Sequence, residues 1–359
     1  MTNPPFVYLY TIKEVQEMNS ERNMDLALLR TLCNAHGVSG YEDGVADIII
    51  DLIKDCCDTV MKDSVGNVLA FKKGKKTPAE PIMLCAHMDE VGFSVKNIND
   101  DGTLDFLQVG MTGTILPSKR VLVGKNRIPG VISARPVHLS PDKTRAVKQS
   151  DLVIDIGARD KEQAESLGLF GDYAAFDSDF VLLGDGLVKA KALDDRIGCA
   201  VMCMLSKTEL ENDVYFAFTV GEELGGTGAV AATNRIKPGT ALVLEGTTAS
   251  DLYGYAEKDK VCKPRFGAVC PFMDGGTFYD NGLYKKILGI AKENNIKVQT
   301  KTKIAGGTDG AKIQRTGKGT RVVALSLACR YIHTSSSVGA VEDMESILRL
   351  SELFINSIA

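Results

Sequence analysis

No apolar run in the 359 residues reaches the roughly 18–20 needed to span a bilayer. No CxxC pair, internal repeat, low-complexity tract or heptad run occurs, which argues against a zinc ribbon, a solenoid or a coiled coil. Basic residues are not in excess: 42 Lys and Arg against 46 Asp and Glu leave a net charge of −4. A basic footprint for nucleic acid and a polybasic patch for a membrane surface are therefore both missing. The opening "MTNPPFVYLYTIKEVQEMNS" lacks the charged, apolar, small-residue order of a secretory leader. It reads as an extension over residues 1–23 ahead of the first helix. The nine cysteines are an odd number set in apolar segments, which suits free buried thiols in a reducing cytoplasm.

What is present is an α/β rhythm. "MDLALLRTLCNAHGVSG" and "GVADIIIDLIKDCCD" have helical spacing, "NVLAFKKG" and "PIMLCAH" read as strands, and from about Gly92 to Gly184 short strands alternate with glycine-rich turns. Helix and strand patterns then alternate again to a final helix in "MESILRLSELFINSI". The expected fold is a catalytic α/β domain, residues 24–91 and 185–359, with a mixed, largely parallel sheet covered on both faces. A small β-rich domain, residues 92–184, is inserted into it.

Charged groups recur where apolar strands end. His87 and Asp89 follow "IMLCA", Glu222 and Glu223 follow "YFAFTV", Glu245 closes "ALVL", His333 follows "CRYI", and Asp194 and Asp195 precede a helix. Singly, each has a plain reading: a helix N-cap for the aspartates, a solvated turn for the glutamate pair, a satisfied core histidine for His333. Together they lie along the edge where open parallel sheets bind ligands. Two imidazoles and several carboxylates form the mixed nitrogen and oxygen set favoured by zinc, cobalt or manganese. Asp194, Glu223, Glu245 and one hydroxide balance two divalent cations, so two ions fit better than one. Of two adjacent glutamates, one can coordinate while its neighbour takes a proton from water.

The set "AHMDEVGF", "KALDDRIG", "TVGEELGGTGA", "GGTDGAKIQ" and "RYIHTSSS" resembles the co-catalytic metallo-aminopeptidases that include the tetrahedral (TET) aminopeptidases. Proteins labelled deblocking aminopeptidase, FrvX-like and "cellulase M" belong to the same family. The resemblance runs from about Met24 to Ile358. It implies a phosphorylase/hydrolase-like three-layer catalytic domain with an inserted small β-barrel used in oligomer contacts. It implies two divalent cations, Zn²⁺ or Co²⁺, with Asp194 bridging, Glu223 and His333 on one side, and His87 and Glu245 on the other. Glu222 matches the general base and Asp89 the carboxylate that orients a ligand imidazole. In the "GGTDGAKIQ" loop, Thr308 and Asp309 are glycine-flanked polar groups with two readings, contact with the substrate end or a turn with no substrate role. Many relatives carry aspartate where Glu245 stands, and proline beside "RYIH" where this chain has Cys329 and Ser335.

The activity implied is removal of N-terminal residues from peptides by metal-activated water. The expected assembly is dimers gathered into a dodecamer, a hollow tetrahedron admitting peptides. Two other readings stand beside it: an endoglucanase-type glycoside hydrolase, and a non-catalytic self-assembling member. The first leaves both histidines without a purpose, since glycosidases use two carboxylates and no metal.

Overall fold

The computed structural model of the chain describes residues 23–111, 115–134, 147–301 and 303–358. The expected N-terminal extension, Asn23 apart, and part of the "GVISARPVHL" segment lie outside the described residues.

An eight-stranded mixed sheet forms the middle layer. Its order is Thr59–Lys62, Val68–Lys72, Val214–Thr219, Ile82–His87, Thr240–Thr248, Arg321–Cys329, Ala268–Val269 and Val298–Gln299. The four strands from Val214–Thr219 to Arg321–Cys329 are mutually parallel, and the neighbours on both sides run antiparallel to them. Every residue of Ile82–His87 is buried, as a strand covered on both faces requires. Leu84 packs toward helices Leu26–Asn34, Asp43–Ile53, Leu193–Leu205, Asn281–Glu293 and Val341–Asn356. Met83 and Cys85 face the opposite way, toward Thr227–Ile236 and Gly310–Arg315. The three-layer architecture follows from that alternation.

Local signals set the helix starts. Asp25 accepts from the N–H groups of Ala27 and Leu28 at 3.0 and 2.9 Å, and Asp280 accepts from Leu283 at 2.9 Å. None of the helices of the described residues is long and apolar enough to cross a membrane.

Six antiparallel strands close into a barrel in the order Gly92–Ile98, Leu104–Val109, Leu152–Asp155, Ile128–Ala134, Arg120–Val123 and Tyr173–Phe176. It has its own apolar core, where Phe93 meets the edges of Phe106 and Phe176 at centroid distances of 5.1 and 5.2 Å. The chain returns through Val181–Leu183, which pairs with Leu187–Ala190, itself paired with Ser337–Ala340. The barrel stands close to the C-terminal edge of the main sheet. A Cβ on Gly110 would come within 2.8 Å of the Glu223 Cβ.

Candidate metal centre

The parallel register aligns the strand ends at one edge. His87 lies opposite Thr219, and Glu245 opposite Ser326. Glu245 is not at its strand's end as the sequence suggested, because Thr240–Thr248 continues for three residues beyond it. Its side chain is nonetheless buried at the same edge. Asp194 and Asp195 open the Leu193–Leu205 helix with non-helical dihedrals, and the peptide bond between them is cis. His333 follows Arg321–Cys329 in a turn with φ 58°, a left-handed conformation that a non-glycine residue adopts where its surroundings enforce it.

Two groups of side chains converge there: His87, Asp194 and Glu245, and Asp194, Glu223 and His333, each with ligand atoms within 4.8 Å of one another. Nε2 of His87 lies 3.4 Å from Oδ1 of Asp194 and 3.5 Å from Oε2 of Glu245. Nε2 of His333 lies 3.4 Å from Oδ2 of Asp194 and 3.3 Å from Oε1 of Glu223. The two oxygens of Asp194 thus face different groups.

These separations test whether a cation fits. Bonds of about 2.0–2.1 Å at tetrahedral angles put neighbouring ligand atoms about 3.3–3.4 Å apart. The observed distances match that edge length. Nε2 of His87 and Oε1 of Glu223 are buried with no hydrogen-bond partner. Buried polar atoms are almost always satisfied, and a cation in each of the two groups would satisfy one of them. The electrostatics agree. Burial first, then the charge of Asp194, pushes the Glu223 carboxyl up to about 7, and burial pushes Glu245 up to about 8. Carboxylates crowded in a dry site cannot all ionise without positive charge among them.

Further side chains hold these candidate groups in place. Nδ1 of His87 faces the carbonyl of Asp89 at 3.1 Å and its carboxylate at 3.4 Å, so the main-chain oxygen is the closer partner. The Asp89 carboxylate accepts from Ser39 Oγ at 2.6 Å and from the N–H groups of Glu222 and Glu223 at 3.1 Å. Asp195 does not face the cluster. It accepts from Gly198 N–H at 3.0 Å, as an N-cap does, and from His87 N–H at 3.3 Å. Gly246 donates to Oδ1 of Asp194 at 2.9 Å, and a Cβ there would sit 2.7 Å from that of Asp194.

Glu222 belongs to neither group of potential ligands, although it lines the same cavity of about 370 Å³. Burial, then the charge of Glu245, pushes its carboxyl well up. Thr308 and Asp309 also line the cavity. The Thr308 hydroxyl meets Tyr279 Oη at 3.0 Å and Asp274 Oδ2 at 3.3 Å. Asp309 is buried with Oδ2 accepting from Thr219 at 2.7 Å, while Oδ1 has no partner.

A buried charge cluster supports the site, made of Glu90 with two residues to which the sequence reading gave no role, Lys191 and Arg196. Lys191 donates to Glu90 Oε2 at 2.7 Å and to the Ala35 carbonyl at 3.0 Å, and Arg196 donates from Nε to the Met88 carbonyl at 2.9 Å. All three charged side chains are buried. Their sequence signal was their position beside the ligands, in "HMDE" and "KALDDR".

An α/β sheet with histidines and carboxylates gathered at its C-terminal edge, and a barrel beside it, defines a hydrolase class. Residues 66–350 match the M42 glutamyl aminopeptidase family, and the chain belongs to that family. The chain is 33% identical over 344 residues to the putative aminopeptidase FrvX of Escherichia coli, covering 93% of this chain and 96% of that one. It is 30% identical to the lysyl aminopeptidase of Pyrococcus furiosus, covering 93% and 98%. A solved structure of the Pyrococcus horikoshii TET1 peptidase, described as assembling into a tetrahedron or a large octahedral shell, superposes with a TM-score of 0.82 at 33% identity, covering 92% and 99%. The resemblance read from the motifs is thus upheld, as is the three-layer fold with its barrel. The protein is a member of an aminopeptidase family, whose chemistry is peptide-bond hydrolysis.

Proposed function

We propose that the protein is a dinuclear metallo-aminopeptidase that removes N-terminal residues from peptides. One observation carries this: two groups of three ligand atoms share Asp194, with spacings suited to small divalent cations. In this reading His87 and Glu245 would hold one cation and Glu223 and His333 the other, with Asp194 belonging to both groups. Zn²⁺ or Co²⁺ suits the imidazole and carboxylate set. Held there, divalent cations would supply the Lewis acidity that makes water a nucleophile at neutral pH and polarises a peptide carbonyl.

The chain's own residues supply the rest. Glu222, outside both ligand groups, takes the proton from the attacking water on a carboxylate oxygen and passes it to the departing amide nitrogen. The cavity beside it receives the N-terminal residue, with Thr308 and Asp309 on its wall. Asp89 fixes the ring of His87 and the loop of Glu222. The inserted domain, residues 92–184, carries contacts between subunits, and the protein self-associates into dimers and a dodecamer, in line with the assembly of its TET1 relative. Nine free thiols suit a cytoplasmic setting.

Exhaustive dialysis against EDTA, followed by addition of Zn²⁺ or Co²⁺, tests the reading on a panel of aminoacyl-p-nitroanilides. Loss and recovery of cleavage is expected. Full activity in chelated, metal-free protein would refute it, as would inactivity of metal-replete protein on every aminoacyl and acyl-peptide substrate.

A further inference from the structure

Four consecutive backbone N–H groups in the loop that carries Glu222 donate to side chains. Val220 donates to Oδ1 of Asn67, Gly221 to Oε1 of Glu42, Glu222 to Oδ1 of Asp89 and Glu223 to Oδ2 of Asp89, each at 3.1 Å. The acceptors come from three separate places in the chain. Glu42 and Ser39 lie in the connection between helices Leu26–Asn34 and Asp43–Ile53, Asn67 precedes the strand Val68–Lys72, and Asp89 follows Ile82–His87. The three acceptors, and Ser39 behind Asp89, are buried.

Each acceptor is itself tied down. Ser39 donates to Asp89 at 2.6 Å, and the Asn67 amide donates to the Gly228 carbonyl at 3.0 Å and to Asp63 at 2.8 Å. Gly228 N–H returns to the Val220 carbonyl at 3.1 Å. Glu42 stands at the N-cap position of its helix but makes no side-chain cap bond there, and its carboxylate reaches across to Gly221 instead. Gly221 has φ 66°, which glycine adopts freely, and Gly225 and Gly226 N–H close the turn on the carbonyls of Glu222 and Gly221 at 2.8 Å, so the side-chain bonds add to a main-chain turn. A loop ordered only by its own main chain would not need buried carboxylates from remote segments, whose desolvation is costly.

We infer that Asn67, Glu42 and Ser39 are positioning residues: they lock the loop so that the Glu222 carboxylate meets its proton. The inference rests on the proposed role of Glu222. Small misplacements of a catalytic group reduce turnover steeply, so holding the loop acts on kcat more than on substrate binding. None of the three belongs to a metal-ligating group.

The test compares isosteres at Glu42 in the full-length, metal-loaded protein. Glu42→Gln keeps an oxygen that accepts from Gly221, whereas Glu42→Met keeps volume and removes it. Glu42→Met is expected to lower kcat roughly 10–100-fold, as loss of an outer support does. KM and metal content should hold, and Glu42→Gln should stay within about threefold of the parent. Ser39→Ala deletes only a hydroxyl, and a kcat fall of about 3–10-fold is expected from one lost hydrogen bond. It keeps the inference testable should Glu42→Met fold poorly.

Parental turnover in Glu42→Met or in Ser39→Ala would overturn the inference. So would a fall in kcat accompanied by a rise in KM and loss of metal, or Glu42→Gln failing as badly as Glu42→Met. Glu222→Gln made in parallel separates the layers. If that variant works normally, the role of Glu222 falls and the inference with it. If it is inactive while Glu42→Met is normal, only the positioning inference falls.

Discussion

Replacing Glu222 by glutamine isolates proton transfer from everything else in the site. The substitution preserves side-chain length and leaves the backbone N–H bonded to Asp89 at 3.1 Å, so the loop keeps its course. Neither group of ligand atoms includes Glu222, so metal content should be unchanged. What disappears is the proton acceptor. General acid–base catalysis contributes about 10²–10⁴-fold. The upper half of that range applies here, because no substitute base is at hand. Asp194, Glu223 and Glu245 are assigned to cations, and Asp309 is tied to Thr219. The expected fall in kcat is therefore about 10³–10⁴-fold, or about 4–5.5 kcal/mol in the barrier. Steady-state kinetics on aminoacyl-p-nitroanilides with metal analysis of the same sample reads both quantities. Turnover within about tenfold of the parent at full metal content would refute Glu222 as the base.

Other perturbations probe other parts. Gly246→Ala would press a methyl group against the carboxylate shared by both ligand groups, since its Cβ would meet Asp194 Cβ at 2.7 Å. Loss of metal at both positions is expected by mass spectrometry, rather than loss of one. Phe93→Ala empties the centre of the barrel core and should destabilise it by about 3–5 kcal/mol. If the barrel joins subunits, sedimentation should show smaller assemblies. His36 offers a pH test away from the metal ligands. Burial, then the charge of Lys191, lowers it from 6.5 to about 4. Its contribution to stability is therefore present above pH 6.5 and is lost as pH falls through about 4. For this partly exposed ring, solvent screening reduces that contribution to about 1–2 kcal/mol. His36→Phe should flatten the fall in unfolding free energy between those pH values, and an unchanged slope would contradict it.

That these side chains gather was legible because coordination chemistry restricts residue types and the sheet restricts places. His87, Glu223, Glu245 and His333 each sit at or near the end of an apolar run, a placement that burial energetics disfavours without a reason. Glu245 does not end its strand as the sequence suggests, because pairing with Arg321–Cys329 carries the strand through Thr248. The aspartate pair divides the two readings it allowed: Asp195 caps the helix, and Asp194 faces the histidines. The supports were not legible. Glu42, Ser39 and Asn67 are ordinary loop residues in the sequence, and only the fold brings them to Gly221, Asp89 and Val220. The buried Lys191 and Arg196 were hidden for the same reason, since charged residues usually signal surface.

The central claim is that one aspartate serves two cations. Counting metal ions per chain in the parent protein and in Asp194→Asn and His333→Ala, after equilibration with Zn²⁺, tests it most directly. The expected result is about two ions in the parent, about one without His333, and almost none without the Asp194 charge, as a shared bridging ligand requires. An Asp194→Asn protein that still holds two ions would contradict it.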